Sequence, residues 1–517
     1  MRDDDTRTSA LLPWPLTCDI RGGTSTPVRT APGLREVGDP TLPSEGYRLE
    51  VRQGTATAYA SGPRGFRHAW VTLDQLVTIH GGMVPDAVID DAPVLSRRGI
   101  IEGFYGAPWS HEERLAALRL AGRLKLNSYV YAPKDDPFHR ERWREPYPAE
   151  ELSRLVELAT HGAAHGVDVV VALHPAGSMV FSDDAEQERL ITKATQLLDA
   201  GVPSVALLFD DVPPTPTNDA DRQRFGDSGT GLGDAHALTI RRFRDALAER
   251  LAGGDLLVVP MDYAGTGTSE YREAFAAGLP DDVLVWWTGH DIVVGEVTRA
   301  HIDAAAQVFG DRLLLWDNFP VNDFDRGRAF LGPLLGRTAD VAGSALHGAW
   351  SNPMVEYAAG GFGIAAFADW AWNPAAYEPQ RAARAALRIV AGRQADRLGP
   401  LVRTLSSWPP SAPMDAELDD AAASALAGVG DRLRSRLTEW AELAEVSLDE
   451  QPARSLAPWI RAAIDMATAG LAALDVLDGR RGATVAEAAL AAAEAHEAKV
   501  GTDVVPDFVR AVIDRHG

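Results

Sequence analysis

Two adjacent carboxylates, Asp210 and Asp211, are the residues of this sequence best suited to chemistry. They follow the apolar run Ser204–Phe209, which is typical of a buried strand. Two close carboxylates do not ionise independently, so the pKa of one is expected to rise and leave a protonated acid near neutral pH. Such an acid can protonate the leaving oxygen of a glycosidic bond. A pair of aspartates that caps a helix or binds a structural cation is the alternative at this point.

Similar polar and aromatic clusters follow other apolar runs of the chain. They are Glu102-Gly-Phe-Tyr-Gly106, Tyr131-Ala-Pro-Lys134, His174-Pro175, Met261-Asp-Tyr263, Trp286-Trp287-Thr-Gly289, Trp316-Asp-Asn318 and Trp350-Ser-Asn352. Aromatic rings stack on the apolar faces of a sugar, while Asp, Asn and Lys hydrogen-bond its hydroxyls. Because burying such groups without a partner is costly, the clusters indicate a polar ligand.

The apolar runs alternate with helical patterns, which predicts an α/β fold. The candidate strands are Gly99–Phe104, Ser128–Ala132, Val167–Leu173, Ser204–Phe209, Leu256–Pro260, Val283–Trp287, Leu313–Trp316 and Ser344–Ala349. Helices are expected between them, for example at Glu112–Leu124 and Ala235–Leu251. Strand–helix repeats in this number, over roughly 280 residues, match a (β/α)8 TIM barrel. Since the carboxyl ends of barrel strands meet on one face, the clusters are expected to lie together.

Three domains are predicted along the chain. Residues 1–96 are expected to form a small α+β domain, and residues 97–376 the catalytic barrel. Residues 377–517 are alanine-rich with helical spacing, and prolines at 400, 409, 410 and 413 mark a break near their start. This tail is predicted to be a helical domain that packs on the barrel or contacts a partner, such as a second copy.

Composition excludes several classes of function. The 517 residues carry a net charge of −23 at pH 7, which is unfavourable for nucleic acid or an anionic membrane as partner. A single cysteine, Cys18, excludes a disulfide framework, and no metal-binding or phosphate-binding motif occurs, so no cofactor or metal is predicted. No run of apolar residues is long enough to span a membrane, and the polar start Met1–Arg7 does not resemble a signal peptide. A cytoplasmic protein is therefore expected.

A few isolated residues need an interpretation. Lysine occurs at only four positions, so Lys134 inside a motif is of interest. His139 and His174 are interpreted as supporting or core residues rather than ligands. Gly226-Asp-Ser-Gly229 resembles a protease motif, but it lies in a polar stretch, about 212–233, that is interpreted as a flexible loop.

Longer segments of the chain resemble glycoside hydrolase family 84, the family of O-GlcNAcases and bacterial β-N-acetylglucosaminidases. The matching segments are Arg98–Trp109, Lys134–Arg140, Trp143–Pro148, Phe209–Pro213, Trp287–Gly289, Trp316–Asp323 and Asn352–Met354. The resemblance implies retaining, exo-acting hydrolysis of a terminal β-linked N-acetylglucosamine on a carbohydrate or glycoconjugate. It also implies that the substrate's own acetamido oxygen is the nucleophile and forms an oxazoline.

The resemblance further implies roles for single residues. Asp210 would polarise the acetamido N–H, and Asp211 would protonate the leaving oxygen and later activate water. The implied sugar contacts are the Gly103 carbonyl and Lys134 near the ring hydroxyls, Tyr263 and Trp316 around the acetamido group, Asn318 beside the catalytic pair, and Asp323 with Asn352 at distal hydroxyls.

Two alternatives stay open from the sequence. One is a catalytically silent sugar-binding or scaffold protein, which would bind the sugar without turnover. The other is an endo-acting, hyaluronidase-like hydrolase, against which the acidic charge of the chain argues, because its substrate is a polyanion. The aglycone is not specified either, because glycoproteins, peptidoglycan fragments and chitooligosaccharides all present the same terminal sugar.

Overall fold

A small α+β domain begins the chain. It is seen in a computed structural model that describes residues 10–20, 26–27, 34–251, 256–412 and 415–516, so that Met1–Arg7 lies outside the described residues. Its elements are β1 (Thr17–Ile20), β2 (Thr26–Pro27), β3 (Leu34–Gly38), β4 (Tyr47–Arg52), β5 (Thr55–Ala60), α1 (Pro63–Ile79), β6 (Met83–Val84) and β7 (Ala87–Asp91). Five strands form a sheet in the order β1-β7-β4-β5-β3, and α1 buries Leu73 and Leu76 in the same core as Leu49 and Ile89.

A closed barrel of eight parallel strands follows, in sequence order around the barrel. The strands are β8 (Arg97–Glu102), β9 (Ser128–Tyr131), β10 (Asp168–Leu173), β11 (Ser204–Leu208), β12 (Leu256–Val259), β13 (Val283–Trp287), β14 (Leu313–Asp317) and β15 (Leu346–Ser351). The predicted TIM barrel is therefore confirmed, with each strand close to its expected position. The runs read as continuously apolar because both faces of a parallel barrel strand are buried.

The helices between the strands form the outer part of the barrel. They are α2 (His111–Arg123), α3 (Ala149–Ala164), α4 (Asp184–Asp199), α5 (Asp219–Phe225), α6 (Gly229–Leu247), α7 (Glu270–Gly278) and α8 (Arg299–Phe309). The polar stretch about 212–233 is not the flexible loop that was expected, since it contains α5 and the start of α6. Ser228 is the N-cap of α6, and its hydroxyl accepts a hydrogen bond from the Gly231 N–H at 3.3 Å. Serine suits this position because it satisfies a free N–H at the helix start.

Three tryptophans fill the barrel interior. Trp286 makes edge-on ring contacts with Trp316 and Trp350. Two glycines make space for the outer two, Gly99 in strand β8 and Gly103 directly after it. A Cβ on Gly99 would lie 2.4 Å from the Trp350 ring, and one on Gly103 would lie 2.3 Å from the Trp316 ring. Because both distances are far below van der Waals contact, no side chain fits at either position.

The contacts divide the chain into two compact units. The first comprises Met1–Phe319, Gly336–Asn352 and Phe367–Glu378, and the second comprises Pro320–Leu335, Pro353–Ala366 and Pro379–Gly517. Helix α9 (Tyr357–Trp372) has residues in both units. The division into domains 1–96, 97–376 and 377–517 stays a prediction.

The second unit is helical, as expected for the tail. Its helices are α10 (Pro379–Ala391), α11 (Ala395–Thr404), α12 (Ala416–Leu426), α13 (Asp431–Ala441), α14 (Ala457–Leu477), α15 (Ala483–Ala493) and α16 (Val505–His516). Leu437, Trp440 and Met466 belong to its apolar core. On its surface, Lys499 pairs with Asp325 at 2.8 Å. In the part of the chain that the structure describes, no helix is both long and apolar enough to cross a membrane.

Candidate active site

Asp210 and Asp211 lie directly after β11 and share one cation. Asp210 is 5% exposed, and Lys134, which follows β9, donates to Asp210 Oδ2 at 2.5 Å. Lys134 Nζ also lies 3.7 Å from Asp211 Oδ2. Burial raises the pKa of Asp210, but the positive charge of Lys134 and its hydrogen bond outweigh this and hold the pKa well below its usual range. From the sequence, the two carboxylates were expected to shift each other's pKa. The lysine that lies close to both of them was not expected.

The same cluster changes the pKa of Lys134. Burial alone would lower it, yet the negative charges of Asp210 and Asp211 raise the pKa above that of a free lysine. The resemblance implies that Lys134 contacts sugar hydroxyls, which stays a prediction. In the structure Lys134 forms an ion pair with Asp210. A charged Lys134 and a charged Asp210 are therefore the stable state at neutral pH.

One oxygen of Asp210 is left open. Its Oδ1 is buried and accepts no hydrogen bond from the described residues. His174 Nε2 lies 3.5 Å from this oxygen but donates instead to the backbone carbonyl of Asp210, at 2.7 Å. An unsatisfied buried acceptor costs about 1–3 kcal/mol. A ligand that brings an N–H group to Oδ1 would remove that cost.

Asp211 has a different environment. Its side chain is 32% exposed, so it is accessible from solvent. Its backbone has φ of 56°, in the left-handed region that residues other than glycine rarely adopt. Tyr105 OH donates to its Oδ2 at 2.5 Å, and Tyr263 OH donates to its Oδ1 at 3.1 Å. Backbone strain of this kind persists where the surroundings enforce it, as at active sites.

A second set of contacts joins the ends of β8, β14 and β15. The Asn318 side-chain oxygen accepts from Trp316 Nε1 at 2.9 Å and from Asn352 Nδ2 at 2.8 Å. The Asn352 oxygen accepts from the Gly103 N–H at 3.3 Å. Lys134 Nζ lies 5.9 Å from the centroid of the Trp316 ring, which connects this set to the aspartates. Eight of the nine predicted site residues are thus brought together at the carboxyl ends of the strands.

Asp323 is the remaining predicted site residue. It lies in the segment Pro320–Leu335, which belongs to the second unit, and it is partly buried. Its contact with a sugar stays a prediction. In the residues that the structure describes, no cluster of His, Cys, Asp and Glu could hold a metal ion.

Two residues of the site were not among the predicted site residues, although the sequence analysis noted both. Tyr105 lies in the loop after β8, inside a segment that was noted for its aromatics, so its position was the available signal. His174 was interpreted as a supporting residue, which agrees with its hydrogen bond to the Asp210 carbonyl. The signal for both was their place at the end of a strand.

Lys193 holds the loop that carries Lys134. From helix α4 its ammonium donates to the carbonyl of Phe138 at 2.6 Å and to that of Glu145 at 2.7 Å. Burial lowers the pKa of Lys193 to about 8. The long loop after β9 is therefore tied to the barrel by a lysine that takes no part in the ion pair.

Comparison with known sequences identifies the family. The sequence model described as beta-N-acetylglucosaminidase matches residues 98–402, which is more than half of the chain. The chain belongs to this family, glycoside hydrolase family 84. The resemblance seen in the sequence is thereby confirmed, as is the class of enzyme, a glycoside hydrolase. A model of domain 2 of glycosyl hydrolase family 20 matches residues 15–92, in the small α+β domain.

Relatives of the family-84 chain are found among characterised proteins and solved structures. The protein O-GlcNAcases of Rattus norvegicus and Mus musculus are each 32% identical over 278 residues, covering 53% of this chain and 29% of theirs. The chain thus matches less than a third of the length of these relatives. A mutant O-GlcNAc hydrolase of Thermobaculum terrenum is 28% identical, with a TM-score of 0.73 over 81% of this chain and 95% of that one. CpGH84B, at 24% identity, shares the fold, with a TM-score of 0.85 over 97% of this chain and 99% of that one.

Proposed function

We propose that this chain is a retaining, exo-acting β-N-acetylglucosaminidase that uses substrate-assisted catalysis. The observation that carries the proposal is the asymmetry of the two aspartates. Asp210 is buried and paired with Lys134, and one of its oxygens is reached by no donor from the described residues. Asp211 is open to solvent and is oriented by two tyrosine hydroxyls. Two carboxylates in such different environments suit two different roles.

Asp210 acts on the acetamido group of the substrate. Its open Oδ1 accepts the acetamido N–H, and the negative charge that Lys134 stabilises makes the acetamido oxygen more nucleophilic. That oxygen forms a bond to the anomeric carbon while the bond to the leaving oxygen breaks, which gives an oxazoline. No carboxylate of the enzyme needs to attack the sugar.

Asp211 moves the proton. In its acid form it donates a proton to the leaving oxygen as the glycosidic bond breaks. The resulting carboxylate then takes a proton from the water that attacks the oxazoline at the anomeric carbon. The configuration is inverted twice, so it is retained overall. The exposure of Asp211 supports this role, because both the leaving group and the water arrive from solvent.

The remaining residues are proposed to bind the sugar. Trp316 and Tyr263 provide apolar surface for the acetamido methyl group, and Asn318 and Asn352 provide polar groups for hydroxyls. The Gly103 carbonyl and Asp323 complete the proposed contacts. The substrate is proposed to be a glycoconjugate with a terminal β-linked N-acetylglucosamine, in agreement with the names of the O-GlcNAcase relatives. The cytoplasm is its proposed location, on the sequence features alone.

The test compares the wild type with Asp210→Asn and Asp211→Asn on aryl β-N-acetylglucosaminides whose leaving groups range from good to poor. Asp211→Asn is expected to lose about 10²–10⁴-fold on poor leaving groups and far less on good ones, because only poor ones need an acid. Asp210→Asn is expected to slow all substrates, because oxazoline formation itself is impaired. Asp281→Asn, at a fully exposed aspartate of the same barrel, is the control and should leave rates unchanged.

Three other results would contradict the proposal. A wild type that binds N-acetylglucosamine without hydrolysing any aryl substrate would be a sugar-binding protein. Internal cleavage of an oligosaccharide, seen as products of intermediate size, would indicate an endo-acting enzyme. Inversion of the anomeric configuration in the first product, followed by NMR, would exclude the oxazoline route.

A further inference from the structure

His174 lies behind the catalytic pair, in a place that the proposed chemistry does not use. It follows β10 directly and is 2% exposed. Its Nε2 lies 2.7 Å from the backbone carbonyl oxygen of Asp210. That carbonyl is part of the peptide bond that joins Asp210 to Asp211. A single hydrogen bond from His174 therefore holds the peptide plane that relates the two carboxylates to each other.

The backbone at this peptide is strained. A left-handed backbone such as that of Asp211 costs roughly 1–3 kcal/mol for a residue other than glycine. Without an external anchor, rotation of the Asp210–Asp211 peptide would release that strain and move one carboxylate relative to the other. Tyr105 and Tyr263 hold the side chain of Asp211, whereas His174 holds its backbone.

His174 is itself held rigidly. Its backbone N–H donates to the His139 carbonyl at 3.0 Å, and the two rings pack with centroids 6.1 Å apart. His139 in turn donates through Nδ1 to the Ala172 carbonyl at 2.8 Å. Because a carbonyl only accepts, Nε2 of His174 must carry a proton. Burial lowers the pKa of His174 and outweighs the opposing negative charge of Asp210, so the ring is neutral near pH 7, with its proton on Nε2.

We propose that His174 is a positioning residue that fixes the Asp210–Asp211 peptide, and with it the angle between the carboxylate that accepts the acetamido N–H and the acid. The proposal rests on the proposed function and adds a residue that acts through the peptide rather than on the substrate. Since a displacement of about 1 Å can cost 10²-fold in rate, loss of this hydrogen bond is expected to lower kcat. Sugar binding depends on other residues, so KM should change little.

The test compares His174→Gln with His174→Leu. Glutamine places an N–H donor near the position of Nε2, whereas leucine fills the space without a donor. His174→Leu is expected to lower kcat on aryl β-N-acetylglucosaminides by about 10–100-fold, with KM within about twofold, and His174→Gln to recover most of the loss. His236→Leu is the matched control. His236 is also deeply buried, and its ring stacks on that of Phe209 with centroids 4.3 Å apart. Its Nδ1 lies 2.9 Å from Tyr271 OH, whereas the Asp210 carbonyl accepts from His174. This control should lower the Tm without the loss of kcat.

Binding of an N-acetylglucosamine-derived thiazoline, a mimic of the oxazoline, is measured by calorimetry on the same variants. His174→Leu should weaken thiazoline binding while binding of free N-acetylglucosamine is kept. If the leucine variant does not fold, His174→Asn replaces it, because its shorter amide does not reach the carbonyl. A wild-type kcat in His174→Leu, or equal losses in the leucine and glutamine variants, would overturn the role of His174. A wild type without turnover would overturn the proposed function instead. The role of His174 would then be tested by comparing thiazoline binding between the wild type and His174→Leu.

Discussion

Two buried lysine–aspartate pairs of the first unit can be compared, and one of them is fully satisfied. Lys125, between α2 and β9, donates to Asp91 Oδ2 and to Tyr47 OH, both at 2.8 Å. Asp91, at the end of β7, also accepts from Tyr47 OH and from Trp372 Nε1, each at 2.7 Å, and from the Leu16 N–H at 3.1 Å. Every polar atom of this pair has a partner. The pair fastens the small domain to the barrel.

The pair Lys134–Asp210 uses the same residue types at the other end of the strands. No donor in the described part of the chain reaches Asp210 Oδ1, and a second carboxylate, Asp211, lies beside the lysine. The pKa of Lys125 is lowered because burial outweighs its single close carboxylate, whereas the pKa of Lys134 is raised because two carboxylates outweigh burial. The comparison shows two uses of a buried ion pair. A pair whose polar atoms all have hydrogen-bond partners is structural, whereas a pair with one carboxylate oxygen lacking a donor can bind a ligand.

The largest expected effect comes from breaking the pair Lys125–Asp91. Lys125→Met removes one partner from a buried ion pair, which costs about 3–5 kcal/mol. We expect the free energy of unfolding to fall by that amount, measured by urea denaturation, while kcat well below the Tm is unchanged. Arg123→Met, at an exposed position two residues earlier, should change stability by no more than about 0.5 kcal/mol. A loss of kcat without a loss of stability in Lys125→Met would contradict the comparison.

The next largest effect is expected at the pair Lys134–Asp210. Lys134→Met is expected to lower kcat/KM by about 10²-fold, because Asp210 loses the positive charge that stabilises its anion. Loss of the ammonium raises the pKa of Asp210, which works as an anion. The fall of activity on the acid side should therefore begin at a higher pH than in the wild type. A pH–rate profile of kcat/KM checks this, and an unshifted acid limb would show that Lys134 does not control Asp210.

The smallest expected effect comes from two glycines, Gly99 in β8 and Gly103 directly after it. Gly99→Ala and Gly103→Ala each force a Cβ against a buried tryptophan, which costs about 1–3 kcal/mol. Both should lower the Tm by a similar amount, but only Gly103→Ala should lower kcat/KM, since Trp316 belongs to the site and Trp350 does not. Gly177→Ala, where the new Cβ has open space, is the control. Equal losses of activity in Gly99→Ala and Gly103→Ala would mean that a displaced Trp350 affects the site as much as a displaced Trp316.

The barrel and most of the site were predictable because their signals are local. Each strand is a short apolar run, and most of the functional residues lie at or shortly after the end of a run. The ion pair was not predictable, since Lys134 and Asp210 are 76 residues apart and nothing in the sequence specifies which of two aspartates a lysine reaches. Helix α5 was missed because its residues are polar, although Asn218 accepts a hydrogen bond from the Asp221 N–H as an N-cap and was a usable signal.

The burial of the lysines has a practical consequence. Three of the four, Lys125, Lys134 and Lys193, are at most 5% exposed and are engaged by carboxylates or carbonyls. The fourth, Lys499, has a side chain that is 45% exposed and lies in the helical unit. Amine-selective dyes, cross-linkers or coupling resins therefore have a single accessible lysine on this protein. Attachment there would leave every lysine of the candidate site unmodified.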